Sequence, residues 1–367
     1  VSGINALVGG DNQKEIITVH VGRKIIASTF AALIILCILI IVTSSVGSAR
    51  IPLDQTYRIL LKKVPVLGMF IDISDINPNF LTILYRVRIP RVVMAVLVGT
   101  ALSAAGVMYQ GLFRNPMADP FIIGISSGAS VGVAIAIVTG VYTSILGFSG
   151  LMVAAFIGAL AVSVVVFTIA RSKNRYISVV TLILSGIAVG SLCSAATSFL
   201  MMFGRDEMHQ ILFWILGSLT TAQWNQVRLV GPVILVGTVV LFLFTKDLNI
   251  LSMGEQRAEQ LGVNTAQFKN IVIVFSSLIV AAAVSVSGII GFIGLVIPHI
   301  MRIIVGPDNR VLFPVSAVVG GIVLLVADTL ARTVMIPREL PVGILTALLG
   351  SPFFIYLLKT SRKRMSV

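Results

Sequence analysis

The side chains able to do chemistry are few and far apart. His299 follows Pro298 inside an apolar run, with no second His, Cys or carboxylate near it in sequence. A lone His in such a setting can bind a metal, but a proline-kinked helix with the ring packed internally is the better reading. Cys37 and Cys193 lie in apolar runs without ligand spacing and read as small buried residues. Asp328 is the only carboxylate in its run. Neither H-E-x-x-H nor the phosphate-cradling G-x-x-x-x-G-K-[ST] occurs anywhere. A hydrolase would need a nucleophile with a base, or a metal cluster, and an ATPase would need that loop. No catalytic residue, metal site or resident cofactor is therefore expected. What remains is a set of arginines, a polar segment at 246–266 and a stripe of small residues at 185–197, so attention turns to the elements that hold them.

Composition says what those elements sit in. Of 367 residues, 57% are hydrophobic and 11% charged, with a mean hydropathy of +1.05. A soluble domain carries about 25% charged residues, so lipid must cover most of this molecule. The net charge of +13 comes as short Lys/Arg clusters between apolar runs. That is the pattern of topogenic signals, not of a nucleic-acid-binding face. The run from about Ile25 to Val46 is longer than a signal-peptide core and reads as a true first span.

Apolar runs bounded by charges or Gly/Pro turns predict ten helices, near 25–46, 89–111, 120–140, 148–170, 177–203, 226–245, 267–288, 290–305, 312–335 and 341–358. The fold class is all-α, a polytopic membrane protein. Residues 1–24 form a polar N-terminal segment, 25–359 the membrane domain and 360–367 a basic tail. The Lys/Arg bias is modest overall but clean at Arg171–Arg175 and in the KTSRKR tail, which puts both termini in the cytoplasm. Residues 47–88 then lie outside. Residues 246–266 lie inside, where Glu255 to Gln260 predict a helix that Gly262 can stop with a left-handed cap. A short polar helix there is a natural docking element; a plain solvated loop is the alternative.

Several long strings then agree in order and spacing with one family. They are RIPRVVMAVLVGTALSAAGVMYQGLFRNPMADPFIIGISSGAS after Val87, LILSGIAVGSLCSA, MGEQRAEQLGVN, GIIGFIGLVIPHIMRIIVGPDNRVLFP, and ADTLARTVMIPRELPVGILTALLGSPFFIYLL. Over about Ile51 to Leu358 the chain closely resembles the FecCD-type permeases of ABC importers, which carry iron-siderophore, haem or cobalamin. The resemblance implies a type II importer permease fold with ten transmembrane helices, in a homodimer as the first expectation or a pseudo-symmetric heterodimer as the alternative. It implies two cytoplasmic ATPase subunits that bind ATP and Mg, an extracytoplasmic substrate-binding protein, and a place in the cytoplasmic (inner) membrane. Iron-siderophore ranks first as cargo on family frequency, haem and cobalamin next.

The same resemblance carries residue roles. Met253, Gly254, Glu255, Arg257, Glu259, Leu261 and Gly262 fall in the coupling helices, which transmit ATPase closure as rigid-body motion. Arg88, Arg91 and Arg332 match outer-face arginines that pair with carboxylates of the binding protein, one per lobe. Their alternatives are anchoring near headgroups or, for Arg332, pairing with Asp328 four residues earlier. Asn115 and Met117 fall at a cytoplasmic gate, with Ser178, Val179 and Val180 as its second element. The valines depart from the small hydroxyl residues of some relatives and fit a hydrophobic gate. Nearby Asp119-Pro120 reads as a structural helix start. Ser185, Gly190, Ser194 and Thr197 line the pathway or the dimer interface, with Phe199, Met201 and Met202 as an apolar surface beyond them. The competing function, an ion-coupled secondary transporter, usually requires buried carboxylates, and only Asp328 qualifies.

Overall fold

The computed structural model describes residues 4–47, 49–64, 67–140, 149–171, 178–203 and 207–365. Every regular element of any length among them is helical. We label the principal helices α1 (Ile4–Ser45), α2 (Ile89–Leu112), α3 (Ile125–Val138), α4 (Gly150–Ala170), α5 (Val179–Phe203), α6 (Trp224–Leu243), α7 (Thr265–Ser287), α8 (Ile293–Val305), α9 (Asn309–Ala331) and α10 (Val342–Met365). Seven of the described helices are long and apolar enough to cross a membrane: the Ile25–Ser45 part of α1, α2 with its lead-in from Pro78, α4, α5, α6, α7 and α9. Three more, α3, α8 and Val342–Tyr356 of α10, are apolar but shorter.

Hydrogen bonds at the helix ends fix their directions. At one end, Trp224 Nε1 at the start of α6 donates to the Tyr85 carbonyl just before α2 (2.7 Å). There too, Arg332 after α9 donates to the carbonyl of Thr43 near the end of α1 (2.6 Å). At the other end, the Asn309 amide that opens α9 donates to Asn249, which follows α6 (2.9 Å). Gly111, near the end of α2, meets Leu248 at that same end. Segment 47–88 and segment 245–264 therefore occupy opposite ends of the bundle, and both α1 and α10 have their outer chain ends on the 245–264 side.

Burial ranks the helices. The central windows of α2, α7 and α9 are 78, 72 and 67% buried, against 11% for α1 and 22% for α5. The first three form the core on which the others lean. Small residues make that core possible, because no hydrophobic effect drives helices together in lipid and close backbone contact must do so. A methyl on Gly99 would overlap the Gly320 carbonyl of α9, and one on Gly106 would overlap Gly294 of α8.

Boundaries differ from expectation where backbone conformation intervenes. The third helix starts at Ile125, not near 120, because Gly124 (φ 79°) separates a 3-10 turn at Pro120–Ile123 from it. The eighth starts at Ile293 because 288–292 are not helical and Phe292 sits at φ 69°. The ninth stops at Ala331, with turns to Arg338. Polar residues 4–24 continue the first span as one helix. Segment 47–88 is more than a polar loop. It folds helix Leu53–Lys62, short turns and a π-helical Leu84–Arg88 over a small core of Ile51, Ile59, Ile76 and Leu84. Tyr85 Oη donates to the Ile59 carbonyl (2.6 Å), and Arg58 pairs with Asp75 (2.6 Å). The expected break at 139–150 and the Lys173 and Arg175 cluster fall largely outside the described residues.

Candidate functional site

The 246–266 segment is helical, as its composition predicts, but in two pieces. Thr245–Ser252 ends at Met253, Gly254 takes φ 122°, and Glu255–Gln260 follows. The second piece stops where expected. Gly262 is left-handed (φ 87°). Its amide donates to Glu259 O (3.0 Å) and the Val263 amide to Ala258 O (3.0 Å), the paired bonds of a Schellman stop. Asn264 then caps α7 by accepting from the Gln267 amide (3.0 Å). Ala258 is buried, while Met253 and Leu261 are 59 and 63% exposed and Gln256, Arg257 and Gln260 are also exposed. The two acidic residues reach across to α7: half-exposed Glu255 pairs with buried Lys269 (2.7 Å), and exposed Glu259 accepts from Thr265 Oγ1 (2.7 Å). The preceding helix is tied to α9, since Asn249 Nδ2 donates to Asp308 (2.7 Å), the N-cap of that helix. Burial pushes the Asp308 carboxyl up, but hydrogen bonds from Arg310 and Asn249 outweigh it and hold it below the usual range.

The three expected docking arginines do come together at the 47–88 end, but not as exposed side chains. Arg88, Arg91 and Arg332 are only 4, 7 and 6% exposed. Arg88 donates to the carbonyls of Ser44 (2.6 Å), Ser45 (2.9 Å) and Ala49. Arg332 takes the Thr43 carbonyl and Thr329 Oγ1 (3.2 Å). The last carbonyls of a helix have no intrahelical partner and attract cations, so two arginines close the end of α1. Arg332 does not pair with Asp328, as its spacing allows. Arg91 takes that carboxylate instead, through Nε (2.9 Å) and Nη2 (2.9 Å), and reaches Glu339 through Nη1 (2.7 Å). Glu339 also accepts from Thr220 Oγ1 (3.1 Å). Glu339 and Thr220 were not among the expected site residues; a carboxylate after a proline turn carries no pattern of its own. Arg86 and Arg338, beside the cluster in sequence, are exposed.

The segments that follow the two expected gate elements, the Pro120–Ile123 turn and α5, pack on each other. Asn115 Oδ1 accepts from the Met117 amide (2.9 Å) in a turn after left-handed Arg114 (φ 47°). Asp119 caps the 3-10 turn by accepting from the Phe121 amide (2.7 Å). That turn lies on α5, with Ile122 against Gly186. Ser178 Oγ accepts from the Thr181 amide (3.3 Å) at the start of α5, where Val180 is 66% exposed. A groove of about 450 Å³ runs between the turn and α5 past Ser127, Gly190 and Ser194. The small residues of α5 divide into two faces. Ser185 and Thr197 are buried on the stripe with Leu182, Gly186 and Cys193; Gly190 is half-buried beside Ser127 of α3, and Ser194 is exposed. Phe199 and Met202 are exposed near the far end of α5. His299 lies half-buried in α8 behind Pro298, and no cluster of three or more His, Cys, Asp or Glu suited to a metal occurs among the described residues.

Comparison with known proteins agrees with this arrangement. The profile of the FecCD transport family matches residues 33–360. The uncharacterized ABC transporter permease protein YvrB of Bacillus subtilis is 40% identical over 88% of this chain and 90% of its own. The cobalamin import system permease protein BtuC of Halobacterium salinarum is 45% identical over 76% of this chain and 73% of its own. The hemin transport system permease protein HmuU of Yersinia pestis is 44% identical over 77% and 84%. A solved inward-facing ABC transporter of metal-chelate type superposes with a TM-score of 0.77 at 31% identity, covering 90% of this chain and 98% of that one. A match that runs from within α1 to the start of the basic tail makes this chain a member of the FecCD transport family and, like the permeases it matches, a membrane permease subunit of an ABC importer rather than an enzyme.

Proposed function

We propose that this chain moves a metal chelate across the cytoplasmic membrane as one half of a homodimer. Two ATPase subunits drive it and a substrate-binding protein feeds it. Iron-siderophore is the first candidate cargo, with haem and cobalamin next. In this reading α1 to α10 all cross, the three shorter helices completing ten spans of the type II importer fold. Both termini and segment 245–264 are cytoplasmic, in line with the basic tail and Arg171. The observation that carries the reading is the short helix Glu255–Gln260. It has a rigid stop at Gly262 and presents Met253, Arg257 and Leu261 outward on a chain that has no nucleotide cradle of its own. Energy must enter through such a surface. The outer gatherer of charge is the arginine cluster. Three guanidinium groups face two carboxylates, an excess of one positive charge, with exposed Arg86 and Arg338 on its rim. Carboxylates of a binding protein complement that end. The gate lies at Asn115, Met117, Ser178, Val179 and Val180, and Gly190 and Ser194 face the pathway or the partner copy. An ion-coupled carrier fits poorly, because Asp328 is held by Arg91 and is not free for an ion.

The deciding experiment is reconstitution in liposomes with an ATPase subunit and a binding protein, loaded in turn with ferric siderophore, haem and cobalamin. Uptake that requires ATP hydrolysis and one of these cargoes is expected. Uptake that runs on an ion gradient without ATP would overturn the reading.

A further inference from the structure

Across the tight turn at Gly262 the chain makes two matched contacts. Glu259 and Thr265 are three residues either side of it, and Glu255 and Lys269 seven either side. Glu255 and Glu259 are spaced i,i+4 on the coupling helix, and Thr265 and Lys269 i,i+4 on α7, so all four lie along one seam where the two helices meet. On a helix turning 100° per residue, Glu255, Glu259 and Ala258 share a face, and Gln256, Arg257 and Gln260 take the opposite one. Ala258 is fully buried and Lys269 is 4% exposed at the seam; the Glu255 side chain is 45% exposed and Glu259 is exposed at its edge, and Gln256, Arg257 and Gln260 are exposed.

We propose that the Glu255–Lys269 ion pair, backed by Glu259 and Thr265, is the strut that locks the coupling helix to α7, with Glu255 and Lys269 as positioning residues. The ATPase is contacted by the opposite face, at Met253, Gln256, Arg257, Gln260 and Leu261. This rests on the importer reading above. α7 packs on α2, α4 and α6 at the centre of the bundle. A push on the exposed face therefore reaches the core helix with no compliant link between. Lys269 is a buried cation whose one ion pair among the described residues is Glu255. Breaking it would leave the charge unpaired and free the seam to slide.

The test uses the whole complex in liposomes and reads three quantities: cargo moved per ATP hydrolysed, affinity of the ATPase subunit for the permease, and thermal unfolding of the permease. Glu255→Gln and Lys269→Met should each lower cargo moved per ATP about ten-fold while ATPase affinity stays within about two-fold. The double variant should be no worse than either alone, as for a shared contact. Lys269→Arg keeps the pair and should retain coupling; it also keeps the test informative if Lys269→Met unfolds. The strut is overturned if Glu255→Gln weakens ATPase affinity and Lys269→Met does not, if the two effects simply add, or if Lys269→Arg fails as badly as Lys269→Met in a folded protein. A wild-type complex that moves no cargo with ATP would instead sink the importer reading, a distinguishable result.

Discussion

At the residue scale the molecule is governed by where its few charges find partners. Asp328 is 1% exposed and is held at two points by Arg91. Removing one member of a buried pair costs about 3–5 kcal/mol, because the other charge stays buried. Asp328→Asn should cost about 3 kcal/mol, since Glu339 still accepts from Arg91. Denaturant unfolding in detergent measures it, and a loss below 1 kcal/mol would mean that Glu339 alone carries the pair. Asp119 makes a pH-dependent prediction. Burial pushes its carboxyl up to about 6, with the Phe121 amide pulling the other way. The folded protein keeps this proton from about pH 4, where an unfolded aspartate loses it, up to about 6. This group's contribution to stability therefore falls as pH rises through that window and is level above it. Asp119→Asn keeps a capping acceptor and removes the slope, so its melting temperature relative to wild type should rise between pH 4 and 6.5. A constant difference would show that Asp119 titrates normally.

Elements were legible where periodicity or composition speaks. The apolar runs showed the helices, Asp119-Pro120 showed a capped start, and the Gly262 stop was readable from its place after a run of good helix formers. Less legible were features set by contacts between distant segments. Nothing near Ser45 announces how α1 ends, because its cap comes from Arg88 and Arg332, tens and hundreds of residues away. The half-length start of α8 was hidden as well. GIIGF is apolar enough to be helix, yet Phe292 adopts φ 69° and Gly288 φ 66°. The burial of Ser185 and Thr197 within α5's own packing was not readable from their types either. Gly262 gives the element-scale prediction. A non-glycine residue in the left-handed region costs about 1 kcal/mol, so Gly262→Ala should loosen the stop and increase hydrogen exchange at the amides of Leu261–Val263. Unchanged protection there would mean that the Glu255–Lys269 and Glu259–Thr265 contacts, not the glycine, set the turn.

For the whole molecule, the two ends of the bundle differ in how they meet partners. The 245–264 end offers a rigid, partly apolar knob; the 47–88 end offers charge. Docking at the charged end is expected of Arg88, Arg91 and Arg332, which also hold the end of α1 and the Asp328 pair, so reversing their charge would loosen the fold and the docking surface together. Exposed Arg86 and Arg338 separate the two effects. Arg86→Glu with Arg338→Glu replaces two outward charges while leaving every hydrogen bond described for the buried cluster in place. If the binding protein is drawn by complementary charge, this variant should bind it at least about ten-fold more weakly at low salt and lose most of the salt dependence seen in wild type, because exposed charges are screened over about 10 Å at 0.1 M. Its unfolding free energy should stay within about 0.5 kcal/mol of wild type, as for surface substitutions. Full affinity at low salt with an unchanged salt slope would leave the buried cluster, reached only by rearrangement of α1, as the site where the partner's carboxylates are read.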